Sequence, residues 1–124
     1  MELFFGSFSA EANQHRRNTL VTFAIPDLGV KFKAPFNATD IVLDYASLLT
    51  LLEFIEINPQ LFANRALELY SHNRALVDQI KTCTICDPGL APYLHKALEY
   101  RAKMHYSINW ISPSDNPAQR PEID

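Results

Sequence analysis

The sequence predicts an α/β protein: a mixed β-sheet covered by helices, in the order β-β-β-α-β-α-α-β. Two patterns carry this. The first 36 residues are strand-like throughout, and from residue 37 onward helical and strand periods alternate, as they do when helices pack on a sheet. The length of 124 residues fits one domain with one core. Residues 1–111 are read as that domain and residues 112–124 as an irregular, proline-rich tail.

Leu3, Phe4 and Phe5 open a first, short strand. Residues 18–25 (NTLVTFAI) are rich in β-branched and aromatic side chains, and the turn Pro26-Asp27-Leu28-Gly29 follows. Residues 30–36 (VKFKAPF) alternate apolar and basic positions at their start, so the turn joins two antiparallel strands. Thr39 or Asp40 provides the N-cap of a helix over 41–57, which Asn58-Pro59 ends. Val42, Tyr45, Leu48, Leu49, Leu51, Leu52, Phe54 and Ile55 cover most of its circumference. A helix apolar nearly all round is a buried one, so this is the central helix lying on the sheet. A strand over 66–71, a short helix over 73–81 and a loop over 82–89 come next. The helix over 90–103 turns Leu90, Leu94, Ala97 and Leu98 inward, and 106–111 (YSINWI) is the last strand, with Trp110 expected in the core.

Eleven basic against fourteen acidic residues leave a net charge of −3. That balance argues against a basic nucleic-acid arm and against binding to an anionic membrane. No stretch approaches the ~20 apolar residues of a membrane span. The start MELFFGSFSAEAN lacks the basic head and apolar run of a signal peptide, which sets a cytoplasmic location as the expectation.

Local clusters offer little chemistry by themselves. Cys83 and Cys86 have CxxC spacing, but a structural zinc site would need His72 or His95 to complete four ligands. A redox pair belongs at a helix start, whereas this pair follows a helix; two reduced, partly buried cysteines are the simpler reading. His15-Arg16-Arg17 falls at the turn between the first two strands. Arg74 opens a helix against the dipole preference, which leaves it available for a ligand or partner.

Four stretches together resemble one known family. Residues 4–8 (FFGSF) resemble a first-strand Asp-Gly-Ser segment with the aspartate replaced. Residues 44–49 (DYASLL) resemble a central-helix Glu-Tyr-x-Ala-Leu. Residues 69–80 (LYSHNRALVDQI) are similar to Tyr-Ser-Asp-Ser followed by Leu-Val-x-Gln-Ile, and residues 110–118 (WISPSDNPA) to Trp-Val-Pro-x-x-x-Asn-x-Ala. In that order and spacing they resemble the ribonuclease H-like superfamily. The resemblance implies a five-stranded mixed sheet, its first three strands antiparallel, flanked by helices.

Active members hold two divalent cations with four carboxylates and hydrolyse the RNA strand of an RNA–DNA hybrid. Such hard cations need oxygen ligands. Carried across, the four acid positions fall on Phe5, Asp44, His72 and Gln119. Only Asp44 retains a carboxylate. Asp40, one turn before Asp44, and Glu68 on the fourth strand do not replace the first-strand acid.

The resemblance therefore implies a degenerate, non-catalytic member that binds a protein partner or itself, needs no cofactor and touches no membrane. One alternative is a weak or altered nuclease using Asp44, His72 and another acid with Mg²⁺, Mn²⁺ or Zn²⁺. Another is a nucleic-acid-binding remnant, which would need Arg16, Arg17, Lys31, Lys33 and Arg74 on one face.

Overall fold

Strand β1 (Glu2–Asn13) pairs antiparallel with β2 (Arg16–Ile25), and β2 pairs antiparallel with β3 (Val30–Pro35). A 3-10 turn at Pro26–Leu28 makes the second connection, closed by Gly29 at φ 65°, a left-handed geometry that favours glycine. The computed structural model describes residues 1–13, 16–85 and 87–119, apart from the side chains of residues 9–13, 16–18 and 40. Parallel pairing then adds β4 (Glu68–Ser71) to β1 and β5 (Ser107–Trp110) to β4, which gives the order β3-β2-β1-β4-β5. This is the five-stranded mixed sheet expected from the sequence.

Helix α1 (Asp40–Ile57) lies on one face of that sheet. Leu3 and Phe5 of β1, Phe23 and Ile25 of β2, Leu69 and Ile108 meet Tyr45, Leu48, Leu51 and Leu52 of α1 in the main core. Each such fully buried side chain contributes about 1.5–3 kcal/mol. Helices α3 (Arg74–Thr82) and α4 (Ala91–Met104) flank α1, adding Leu76, Val77, Ile80, Leu94 and Ala97 to the same core. On the opposite face Phe4 stacks on Tyr70 with ring centroids 5.2 Å apart, and Ala24 and Ala118 pack beside them. No helix among the described residues is long and apolar enough to cross a membrane.

Several elements differ from the sequence expectation. β1 is not a short strand. It runs on through residues 9–13 (SAEAN), whose alanine, glutamate and asparagine are poor strand formers and are held by the ladder to β2. A one-turn helix α2 (Pro59–Phe62) follows α1, because Pro59 can start a helix where it cannot continue one. The segment set apart as an irregular tail is in part ordered and docked: residues Pro113–Asp115 and Pro117–Gln119 form 3-10 turns, with Asn116 and Ala118 buried. Trp110 is not in the core. It ends an edge strand and is 41% exposed. Cys83 is exposed as the left-handed C-cap of α3, and Cys86 lies outside the described residues.

Two buried phenols give the fold a pH dependence. The Tyr45 hydroxyl donates to Gln79 Oε1 at 2.6 Å, and the Tyr106 hydroxyl to the Ala97 carbonyl at 2.8 Å. Burial pushes Tyr45 up to about 12 and Tyr106 higher still. Unfolded tyrosines ionise near ~10, so above that pH the unfolded chain holds fewer protons than the folded one. Stability is therefore expected to fall as pH rises above ~10, by about 1.4 kcal/mol per pH unit for each phenol, with the Tyr45 contribution ending near its folded value. Urea unfolding midpoints measured from pH 9 upward check this; a flat midpoint would contradict it.

Candidate functional site

The parallel pairing of β1 and β4 brings Gly6, Ser7 and His72 to one end of the sheet, beside the first turns of α1 and α3. Asp44 enters from α1 and is 4% exposed. Its Oδ1 accepts from the Ser7 backbone N–H at 3.0 Å and from the Ser7 hydroxyl at 2.8 Å. Its Oδ2 accepts from Asn73 Nδ2 at 2.7 Å. Asn73 is at the same time the N-cap of α3, its Oδ1 accepting from the Leu76 N–H at 3.1 Å. One carboxylate thus ties β1, α1 and α3 together, with both oxygens engaged.

The docked segment after β5 closes the other side. Asn116 is fully buried, and its Oδ1 accepts from the Ala118 N–H at 3.0 Å. That fixes the amide, so Nδ2 is the group that donates to the Phe5 carbonyl at 3.1 Å and faces His72 Nδ1 at 3.2 Å. Because an amide nitrogen only donates, His72 Nδ1 stands as the acceptor of this contact. Gln119 Nε2 donates to the Ser7 carbonyl at 2.5 Å. The Thr22 hydroxyl lies 2.6 Å from the Gly6 carbonyl and 2.9 Å from that of Ala118, and the Ser47 hydroxyl lies 2.8 Å from the Gly6 carbonyl. A Cβ at Gly6 would stand 2.6 Å from Gln119 Nε2 and 3.0 Å from His72 Cε1, so glycine permits this convergence. Among the described residues no buried side-chain polar atom lacks a hydrogen-bond partner.

No described protein family and no characterised protein matches the sequence. Solved structures do match the backbone. The compost-derived LC11 ribonuclease H1, solved in complex with an RNA/DNA hybrid, is 15% identical, with a TM-score of 0.73 over 94% of this chain and 88% of its own. The ribonuclease H1 of the halophilic archaeon Halobacterium salinarum is 18% identical, with a TM-score of 0.71 over 95% of this chain and 89% of its own. The N-terminal ribonuclease H domain of a Mycobacterium tuberculosis protein is 13% identical, with a TM-score of 0.67 over 93% and 85% of the two chains.

The chain has the ribonuclease H fold.

On that fold, the positions assigned from the sequence resemblance have distinct environments. Phe5 is 0% exposed and belongs to the main core. Asp44, His72 and Gln119 do converge around Gly6 and Ser7, with Asn73 and Asn116 between them. These residues do not fit a pair of hard divalent cations. The single carboxylate already accepts three hydrogen bonds from Ser7 and Asn73, and the amide oxygens of Asn73 and Asn116 are taken up by the Leu76 and Ala118 N–H groups. Among the described residues no group of three or more His, Cys, Asp or Glu side chains could hold a metal ion.

The basic residues of the sequence reading are scattered. Lys31 and Lys33 share a face of β3, the edge strand remote from β5. Arg74 opens α3, three strands away, and its guanidinium lies 4.3 Å from the Trp110 ring centroid. The indole N–H of Trp110 donates to the His72 carbonyl at 3.1 Å, so this stack borders the cluster. His15, the Arg16 and Arg17 side chains and the Asp40 side chain lie outside the described residues. Glu68 points away from Ser71 on β4.

Sequence reasoning missed Ser7, Asn73 and Asn116 as the residues that build the cluster. Asn73 carries a readable signal, since asparagine immediately before a helical run is a preferred N-cap. Ser7 and Asn116 carry none in the local pattern. Their roles come from partners 37 and 111 residues away in sequence.

Proposed function

We propose that this ribonuclease H-fold domain has lost hydrolysis and acts by binding or assembly. The observation that carries the reading is the state of Asp44, whose two oxygens are held by Ser7 and Asn73. Two-metal hydrolysis needs several carboxylate oxygens aimed at shared cations, to activate water and to stabilise the departing oxygen. Here the resemblance puts Phe5, His72 and Gln119 at the other acid positions, and neutral amide and hydroxyl donors hydrogen-bond the one carboxylate instead. The cluster serves as a structural clamp between β1, α1, α3 and the segment after β5.

A second reading keeps nucleic acid as a ligand without cleavage. It is favoured by the Arg74–Trp110 stack at the border of the cluster, where an exposed indole could receive a base and the guanidinium a phosphate. LC11 ribonuclease H1 was solved with an RNA/DNA hybrid, which makes a hybrid the probe of choice. The purified chain incubated with end-labelled hybrid in Mg²⁺ and in Mn²⁺ is expected to leave it intact. Cleavage that Asp44→Asn abolishes would overturn the non-hydrolytic reading. Retardation of the same hybrid at low salt, lost steeply as salt rises and lost in Trp110→Ala, would establish the second reading over the first.

A further inference from the structure

Residues 112–119 dock on the sheet mainly through polar contacts. A single alanine, Ala118, supplies apolar packing against Phe4 and Ala24. Gln119 Nε2 donates to the Ser7 carbonyl, and the Thr22 hydroxyl lies 2.9 Å from the Ala118 carbonyl. The anchor is Asn116, which is 0% exposed although the two residues before it are exposed. Its Nδ2 bridges two strands of the sheet, donating to the Phe5 carbonyl of β1 and meeting Nδ1 of His72, the residue after β4.

That anchor depends on the state of one ring nitrogen. Turning the Asn116 amide over would set its NH₂ against the Ala118 N–H and its oxygen against the Phe5 carbonyl, so its orientation is fixed. An imidazole protonated on both nitrogens has no acceptor left. Its Nδ1 proton would then point at a buried donor, and a buried polar group without a partner is costly. The charged groups on the surrounding elements are otherwise engaged. Asp44 of α1 accepts from Ser7 and Asn73, and Asp115 accepts from the Ser112 hydroxyl at 2.8 Å. The Arg74 guanidinium of α3 lies over the Trp110 ring. Gly6, Ser7, Ser71 and Trp110, which border the ring on β1, β4 and β5, carry no charge.

We propose that residues 112–119 form a releasable strap whose latch is the His72–Asn116 contact, closed while His72 Nδ1 can accept and opened by a second proton on the ring. Docking requires the form of the ring with one proton fewer, so a falling pH works against it. Imidazoles change charge between about pH 5 and 8, a range in which apolar packing of the main core is unaffected. An aspartate, the residue that the resemblance expects at position 72, would stay an acceptor throughout that range. Histidine makes the docking conditional. Release uncovers Phe4 and frees the Ser7 carbonyl on β1.

Amide hydrogen exchange of the full chain tests this. The Ala118 and Gln119 N–H groups both donate to Asn116, one to its side chain and one to its carbonyl. Their protection factors are expected to fall at least ~10-fold from about pH 8 to about pH 5, while amides of the β1–β2 ladder keep theirs. His72→Asn places an acceptor oxygen as many bonds from the main chain as Nδ1 and does not titrate, so it should hold the strap at both pH values. His72→Ala should loosen it at both. Replacing His15, His95 and His105 by asparagine should leave the wild-type pH dependence in place. Strap protection that does not change with pH in the wild type overturns the proposal. So does a change that survives His72→Asn and His72→Ala, which would assign it to Asp44 or Asp115, or an equal loss across the β1–β2 ladder, which would mean that the sheet opens rather than the strap.

Discussion

Phe5→Asp is expected to unfold the protein. This substitution returns to β1 the carboxylate that the ribonuclease H resemblance assigns there, yet the position is 0% exposed and lies among Leu3, Tyr45, Leu48 and Leu69. Truncating a buried phenylalanine costs about 3–5 kcal/mol through lost burial and the cavity left behind. A carboxyl group in the same place adds the cost of a polar group without a partner, about 1–3 kcal/mol even when it protonates. The sum approaches the whole stability of a typical small domain, about 5–15 kcal/mol. Phe5→Leu keeps most of the volume and should cost less than about 1.5 kcal/mol. Circular dichroism and urea unfolding of the two variants separate the outcomes. A cooperatively folded Phe5→Asp with a midpoint near that of Phe5→Leu would mean that the position tolerates an acid, and that its aromatic side chain is a chance replacement.

That contrast shows why one acid cannot simply be put back. A metal-binding carboxylate at this point of β1 needs cations to offset its charge and further carboxylates to hold them, and here the surroundings are an apolar core on one side and a closed amide network on the other. The Phe5 backbone still takes part in the network, since its carbonyl accepts from Asn116. The side chain has joined the core while the main chain keeps its place at the site.

The sheet and its helices were legible in the sequence because their signals are local and periodic. The alternation of Val30 and Phe32 with Lys31 and Lys33 marked a half-exposed third strand, and the all-round apolar pattern of residues 42–55 marked the central helix. Parallel addition of β4 and β5 followed from the resemblance and from the strand–helix alternation. Local patterning did not show that residues 9–13 extend β1, because alanine, glutamate and asparagine are poor strand formers and the strand there is held by its partner. Nor could it show that Trp110 stays exposed, because an aromatic residue on a short strand reads the same at an edge as in the centre. The buried state of Asn116 was equally hidden. A polar side chain is buried where distant groups satisfy it, and the Phe5 carbonyl and His72 lie far from it in sequence. The candidate site itself came from matched motifs, while the chemistry that holds it together is visible only in three dimensions.

The sharpest test of the clamp is a charge exchange between Asp44 and Asn73. Asp44→Ala leaves the Ser7 N–H and the Asn73 amide without their acceptor and should cost about 2–4 kcal/mol. Asp44→Asn looks milder, since the new amide oxygen can still accept from Ser7. Its NH₂ group, however, would face the NH₂ of Asn73 at the place where Oδ2 now accepts at 2.7 Å. Asn73 cannot rotate to relieve this, because its Oδ1 caps α3 through the Leu76 N–H. Asp44→Asn should therefore cost about 2 kcal/mol. Asn73→Asp in the native background sets two carboxylates against each other and should cost about as much. Combined, the two substitutions reverse the direction of one hydrogen bond: the amide at position 44 donates to the carboxylate at position 73, which also caps the helix, where aspartate is as good as asparagine. The double variant should recover at least ~1.5 kcal/mol relative to the sum of the singles, a coupling that urea unfolding of the four proteins measures directly. Additivity within ~0.5 kcal/mol would mean that the pair does not interact in solution, and that Asp44 is held by Ser7 alone. Recovery would establish that the acid of the cluster, Asp44, serves as a hydrogen-bond acceptor whose charge can be moved to a neighbour without loss of the fold, a freedom that a metal-ligating carboxylate does not have.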